Sequence, residues 1–180
     1  AMNIYLTGYR ATGKSTVGAL VARQLDWSSV DTDELVEEEA GMSISEIFSR
    51  LGEVGFRERE SQVLCHCSRL DAHVVALGGG AVVSEENREL LQGTGPVVWL
   101  TATVDTILER LLEDPTSSSR RPALVAGGGR EEVEHLVRER SAIYRDCADL
   151  VVATDQRTPD QVAGEIVTWF SSQAPGGERE

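Results

Sequence analysis

Lysine is almost missing from this 180-residue chain: 16 of the 17 basic residues are arginine, and the single lysine is Lys14. Against 30 acidic residues, that shortage of positive charge leaves a formal net charge of −13. A general nucleic-acid binder is excluded, because it needs a basic face to replace the counterions of a phosphate backbone. A small anionic ligand is not excluded, since a local basic pocket survives in an acidic protein. Cysteine is scarce as well: three residues, an odd number, give no disulfide framework, and a reducing cytoplasm is the expected location. No apolar run approaches the ~20 residues of a membrane-spanning helix, and no signal-peptide pattern opens the chain. What remains, 41% hydrophobic and 26% charged residues, is the composition of a globular protein. One domain over residues 2–170 is expected, probing no partner beyond small molecules, with 171–180 as a disordered tail and a monomer as the working form.

Strands and helices alternate along the chain. Ile4 to Leu6, Ser28 to Asp31, Val74 to Leu77, Pro96 to Leu100 and Leu150 to Ala153 read as short strands. Helices are expected over Lys14–Leu25, from Ser43 onward, and over Gly55–Leu70, Val104–Leu112, Glu131–Tyr144 and Pro159–Phe170. This order predicts an α/β fold with a parallel sheet. The stretch from Glu113 to Arg130 is rich in Ser, Gly and Pro and too long for an ordinary connection, so a functional lid or a disordered segment is expected there.

The solitary lysine lies in Gly8-Tyr9-Arg10-Ala11-Thr12-Gly13-Lys14-Ser15, which has the P-loop spacing between a strand and a helix. Glycines let successive backbone N–H groups turn inward onto phosphate oxygens, and the following helix adds its positive end. Lys14 would set a compact charge against the β- and γ-phosphates, and Ser15 would ligate magnesium. A nucleoside triphosphate with Mg2+ is therefore the expected ligand. No guanine-reading Asn-Lys-x-Asp run exists, which removes that GTPase class.

Asp31-Thr32-Asp33 follows the second strand, where the carboxyl edge of a sheet faces the phosphates. One carboxylate could hold a metal-bound water and the other orient an attacking hydroxyl. Asp33 could equally be the N-cap of a helix over the following acidic residues. Arg57 and Glu60, three apart, are either a solvated pair or a fork for an acidic substrate. Gly78-Gly79-Gly80 offers bare backbone N–H groups or a plain tight turn.

Taken in order, the P-loop with Thr16-Val17-Gly18, Asp31-Thr32-Asp33, Phe56-Arg57 with Glu60, Gly78–Gly80, Arg121-Pro122, and Arg140 four before Tyr144 resemble the shikimate kinase family. The resemblance implies a nucleoside-monophosphate-kinase-like fold, with a five-stranded parallel sheet, a helical substrate-binding region and a mobile lid. It implies transfer from ATP to the 3-hydroxyl of shikimate, giving shikimate 3-phosphate, a step toward chorismate. By that likeness Lys14, Asp33 and Arg121 are catalytic. Ala11, Thr12, Gly13, Lys14, Ser15, Thr16, Arg121 and Arg157 would bind ATP. Asp33, Arg57, Gly79, Gly80 and Arg140 would hold shikimate, Ser15 the magnesium, and Asp31 the magnesium through water. The lid reads Arg121-Pro122-Ala123-Leu124 where Arg-Pro-Leu-Leu is usual, and Asp114 stands where an adenine-side arginine is common. Ala11 replaces a common glycine. A gluconate-type sugar-acid kinase and a silent nucleotide-binding module are the competing readings. Cys65-His66-Cys67 has the wrong spacing for a zinc knuckle and reads as structural.

Overall fold

A computed structural model describes residues 2–113 and 129–173. Five strands, β1 (Ile4–Thr7), β2 (Ser28–Asp31), β3 (His73–Ala76), β4 (Val97–Thr101) and β5 (Leu150–Ala153), form one sheet in the order β2-β3-β1-β4-β5. Every pairing is parallel. Parallel neighbours need crossovers, and helices supply them. Those described are α1 (Lys14–Leu25), α2 (Thr32–Ala40), α3 (Ile44–Cys67), α4 (Glu85–Leu91), α5 (Val104–Glu113), α6 (Arg130–Cys147) and α7 (Pro159–Gln173).

Side chains alternate across each strand, so the sheet sorts its own core into two layers. Tyr5, Val75 and Val97 face α2, α3, α4 and α6, where Phe56, Leu64 and Tyr144 are buried with them. Ile4, Leu6, Val74, Val98 and Val152 face α1 and α7, against Val17, Val21 and Ile166. A third cluster, Tyr9 with Ile107 and Val133, joins the end of β1 to α5 and α6.

Local chemistry explains several departures from the expected boundaries. The expected helices from Ser43 and over Gly55–Leu70 are the two segments of α3, which meet at a non-helical Gly52 (φ 68°, ψ −177°), the second ending at Cys67 rather than Leu70. Only glycine enters that region readily, and Phe48 and Phe56 stack across the bend at 4.8 Å. Ser43 caps it as expected, accepting from Glu46 N at 3.1 Å. The α2 helix is capped by Asp31, not Asp33: Asp31 Oδ1 accepts from Asp33 N at 2.8 Å and Glu34 N at 3.2 Å. The Glu37 carboxylate accepts from Ile44 N at 3.1 Å and so ties α2 to the start of α3. At the other end α7 runs to Gln173, so the tail expected from residue 171 begins inside a helix; residues 174–180 lie outside the described part. No helix among the described residues is long and apolar enough to cross a membrane.

Candidate active site

Every strand ends on the same edge, and that edge collects the residues singled out in the sequence. The loop leaving β1 is shaped by close contact. Gly8 has φ 143°, and a Cβ there would lie 2.4 Å from the carbonyl oxygen of Leu100 on β4. Gly13 has φ 89° and Ala11 φ 63°, so the loop takes a left-handed turn at one residue with a side chain. Thr12, 2% exposed, locks the turn by donating from Oγ1 to Tyr9 O at 2.7 Å. Lys14 Nζ lies over the same turn, donating to Gly8 O at 2.7 Å and Tyr9 O at 2.9 Å. Ser15 and Thr16 sit exposed in the first turn of α1, whose N-terminus begins at the loop.

Ser15 Oγ donates to Asp31 Oδ2. A hydroxyl and a carboxylate in contact are hard oxygen donors, the kind Mg2+ takes together with phosphate oxygens and water. The Ser15–Asp31 pair thus fits the metal expected from the sequence. The other carboxylate oxygen of Asp31 caps α2 and brings Asp33, half-buried, into the first turn of that helix. Thr32 between them is fully buried, and its Oγ1 accepts from Gly78 N at 2.9 Å. This bond joins the Asp31–Asp33 corner to the glycine run after β3.

The glycine run is where two arginines from different helices meet. Arg57 of α3 lies so close that a Cβ on Gly80 would be 2.5 Å from its Nη2 and 2.7 Å from its Nη1. Arg140 of α6 lies with Nη1 3.5 Å from the corresponding position on Gly79. Successive Cα atoms are only ~3.8 Å apart, so two like charges crowd one small region and favour an anion between them. Arg57 is held by Glu60 at 2.7 Å and packs over Phe56 at 5.2 Å. Glu60 is fully buried, so the pair is not a solvated face. Arg140 is half-buried and makes no hydrogen bond or ion pair with any described residue. A half-buried guanidinium is able to take an anion through its planar fork.

Residues expected at the nucleotide side divide. Arg157 turns its guanidinium onto Ala153 O (3.1 Å), Gln161 O (3.4 Å) and Glu165 Oε2 (2.6 Å), binding its own turn rather than the phosphate loop. The arginine that does reach the loop is Arg110 of α5, unnoticed in the sequence. Its Nη1 donates to Ala11 O and Thr154 Oγ1, both at 3.1 Å, and its Nη2 to Thr154 O at 3.2 Å. The one sequence signal for it is position: Arg110 follows the buried Ile107 by three, which puts a charge beside a core-facing stripe. Arg121 and Asp114 lie outside the described residues. The helices flanking that segment are tied together by Arg130 of α6, which meets Asp105 of α5 and Glu134. Among the described residues no group of three or more His, Cys, Asp or Glu is placed to hold a metal, and Cys67 is buried in the core layer that α3 covers.

A P-loop on a parallel sheet, with an acidic corner and an arginine pair across one edge, defines a small-molecule kinase of the nucleoside-monophosphate-kinase-like class. The family model "Shikimate kinase" matches residues 10–171. The shikimate kinase of Rhodopirellula baltica is 43% identical over 165 residues, covering 92% of this chain and 88% of that protein. That of Geobacter sulfurreducens is 43% identical over 167 residues, covering 93% and 90%. Among solved structures, shikimate kinase from Acinetobacter baumannii in complex with shikimate superposes with a TM-score of 0.90 at 34% identity, covering 97% of this chain and 96% of that one. The chain belongs to the shikimate kinase family.

Proposed function

We propose that the cleft along the carboxyl edge of the sheet passes the terminal phosphoryl group of ATP to the 3-hydroxyl of shikimate, with the residues just described in distinct roles. The reaction is the ATP-dependent phosphorylation of shikimate in aromatic biosynthesis. The observation that carries the assignment of the acceptor side is the convergence of Arg57 and Arg140 on Gly79 and Gly80. A carboxylate placed there would meet two forks at once, the geometry arginine offers and lysine does not.

Phosphoryl transfer asks for alignment and charge neutralisation more than for covalent chemistry. The loop from Ala11 to Thr16 wraps the phosphates with backbone N–H groups, and Lys14 exchanges its two carbonyl partners for phosphate oxygens. Mg2+ accompanying ATP would be held by Ser15, and through water by Asp31, and would neutralise charge on the β- and γ-phosphates. Asp33 orients the acceptor hydroxyl and takes its proton as the oxygen attacks the γ-phosphorus; the bond to the bridging oxygen breaks and ADP leaves. Gly79 and Gly80 complete the acceptor pocket through their backbone. In this reading Arg157 borders the adenine side; Arg121 and the lid expected around it lie outside the described residues. The enzyme works in the cytoplasm as a monomeric, single domain.

A coupled assay of ADP release tests the reading. Turnover that depends on shikimate and exceeds the ATPase background is expected; ADP release indifferent to shikimate, or equally fast with gluconate-type sugar acids, would overturn it.

A further inference from the structure

Tyr144 is 2% exposed, and its hydroxyl donates to the carbonyl oxygen of Gly79 at 2.5 Å. Arg140, four residues earlier and so on the same face of α6, lies against that same glycine. One helix therefore touches Gly79 twice, through a neutral hydroxyl and through a cation.

The peptide between Gly79 and Gly80 is trans, as are all peptides among the described residues, so its C=O and N–H point opposite ways. Fixing the carbonyl on Tyr144 fixes the direction of the Gly80 N–H. Both glycines are buried, and neither N–H donates to an acceptor among the described residues. Buried N–H groups are paired about nine times in ten or more, so two adjacent ones without protein partners mark a surface turned toward a ligand. Glycine alone has the freedom to turn a peptide plane either way, and nothing else in the run holds this one.

We propose that Tyr144 is a positioning residue of the acceptor pocket. Its hydroxyl holds the Gly79–Gly80 peptide so that the Gly80 N–H and the Arg57 and Arg140 guanidiniums present one surface to the acceptor. The inference rests on the reading of this cleft as the shikimate site. The ring itself is seated independently, tilted at 41° on Trp99 with centroids 5.7 Å apart and packed in the core layer of α3 and α4. Tyr144→Phe therefore removes the bond and keeps the packing.

The test is steady-state kinetics of the full chain with each substrate varied, beside a control, Ile166→Val, that loosens the core on the opposite face of the sheet. Tyr144→Phe is expected to raise the shikimate KM about tenfold, the worth of one buried hydrogen bond, with the ATP KM within about twofold of the parent. The control, whatever its melting temperature, is expected to leave both KM values unchanged. An unchanged shikimate KM in Tyr144→Phe overturns the inference, as does a parallel rise in both KM values matched by Ile166→Val. Absence of shikimate turnover in the parent overturns the reading of the site, and the inference with it. Should Tyr144→Phe fold poorly, calorimetric titration of shikimate into the folded fraction at low temperature decides: parent-like affinity overturns the proposal, about tenfold weaker affinity supports it.

Discussion

Arg110 and Ala11, 99 residues apart in the chain, meet through a hydrogen bond from the guanidinium to the carbonyl of a residue held at φ 63°. A non-glycine residue in that conformation costs roughly 1–2 kcal/mol, so the contact offsets strain in the turn that cradles phosphate. The same guanidinium holds Thr154 after β5, making α5 the strut between both nucleotide-side loops. Arg110→Ala is expected to raise the ATP KM about tenfold and leave the shikimate KM within about twofold, the scale of one or two lost hydrogen bonds. Ala11→Gly should recover part of that loss in the double variant, since glycine takes φ 63° without support. Kinetics on the four proteins of the cycle measure the coupling; strict additivity would remove the strain argument.

Lys14→Arg keeps the charge and is expected to lower kcat about a hundredfold or more. The ammonium fits between two carbonyls of its own loop at 2.7 Å and 2.9 Å, and a bulkier planar fork on a longer reach does not. A kcat within a few-fold of the parent in the shikimate-dependent assay would show that charge alone suffices.

Gly80→Ala offers a cleaner probe of the arginine pair than removing either arginine. Its Cβ would fall 2.5 Å from Arg57 Nη2, at the far end of a flexible side chain, so Arg57 must shift while the backbone stays. The shikimate KM is expected to rise at least tenfold with little loss of thermal stability. Arg57→Ala should raise it further and spare ATP binding. By contrast, Glu60→Ala should also cost about 2 kcal/mol of stability in denaturant unfolding, because it removes the charge-assisted hydrogen bond from Arg57 and leaves that guanidinium only the exposed Glu53 as an acidic partner among the described residues.

Cys67 gives a pH dependence of stability. Burial, with the nearby Glu39 carboxylate adding to it, pushes its thiol from 9.0 up to about 11. The unfolded chain therefore loses this proton first as pH rises. The stabilisation is complete below about pH 9 and disappears as pH climbs through about 11, a change of roughly 3 kcal/mol at most. The parent is expected to lose more stability between pH 8 and pH 10.5 than Cys67→Ala does. Melting curves across that range decide it, and parallel slopes would refute the assignment.

How far the sequence could be read depended on the range of the interaction. α1 and β5 fall within the residues that periodicity picks out, because the apolar side of each faces one layer, while β2 carries a single apolar residue, Val30, that packs on the other layer. α2 was legible only as an alternative, a capped helix over an acidic run, and α4, seven residues long, went unnoticed because it carries no clear stripe. The bend at Gly52 is a matter of backbone angle, which one glycine among many does not announce. The sequence offered Asp33 as the cap; the end of the sheet gives that role to Asp31, the last extended residue. Local motifs likewise named Arg57, Glu60, Gly79, Gly80 and Arg140, yet not that Glu60 is buried or that Arg140 lies unpaired among the described residues. Those facts, and the reach of Arg110, arise only when helices distant in sequence pack together.

Trp99 stands half-buried on β4, with the Tyr144 ring against it and the Arg145 guanidinium 5.9 Å from its centroid. Tyr144 in turn holds Gly79, so this indole is two contacts from the acceptor pocket. The other two tryptophans, Trp27 and Trp169, belong to the layer on the far side of the sheet. The protein thus carries a built-in optical reporter: arrival of shikimate should alter the emission of one indole against two steady ones, making binding visible without a label or a second enzyme.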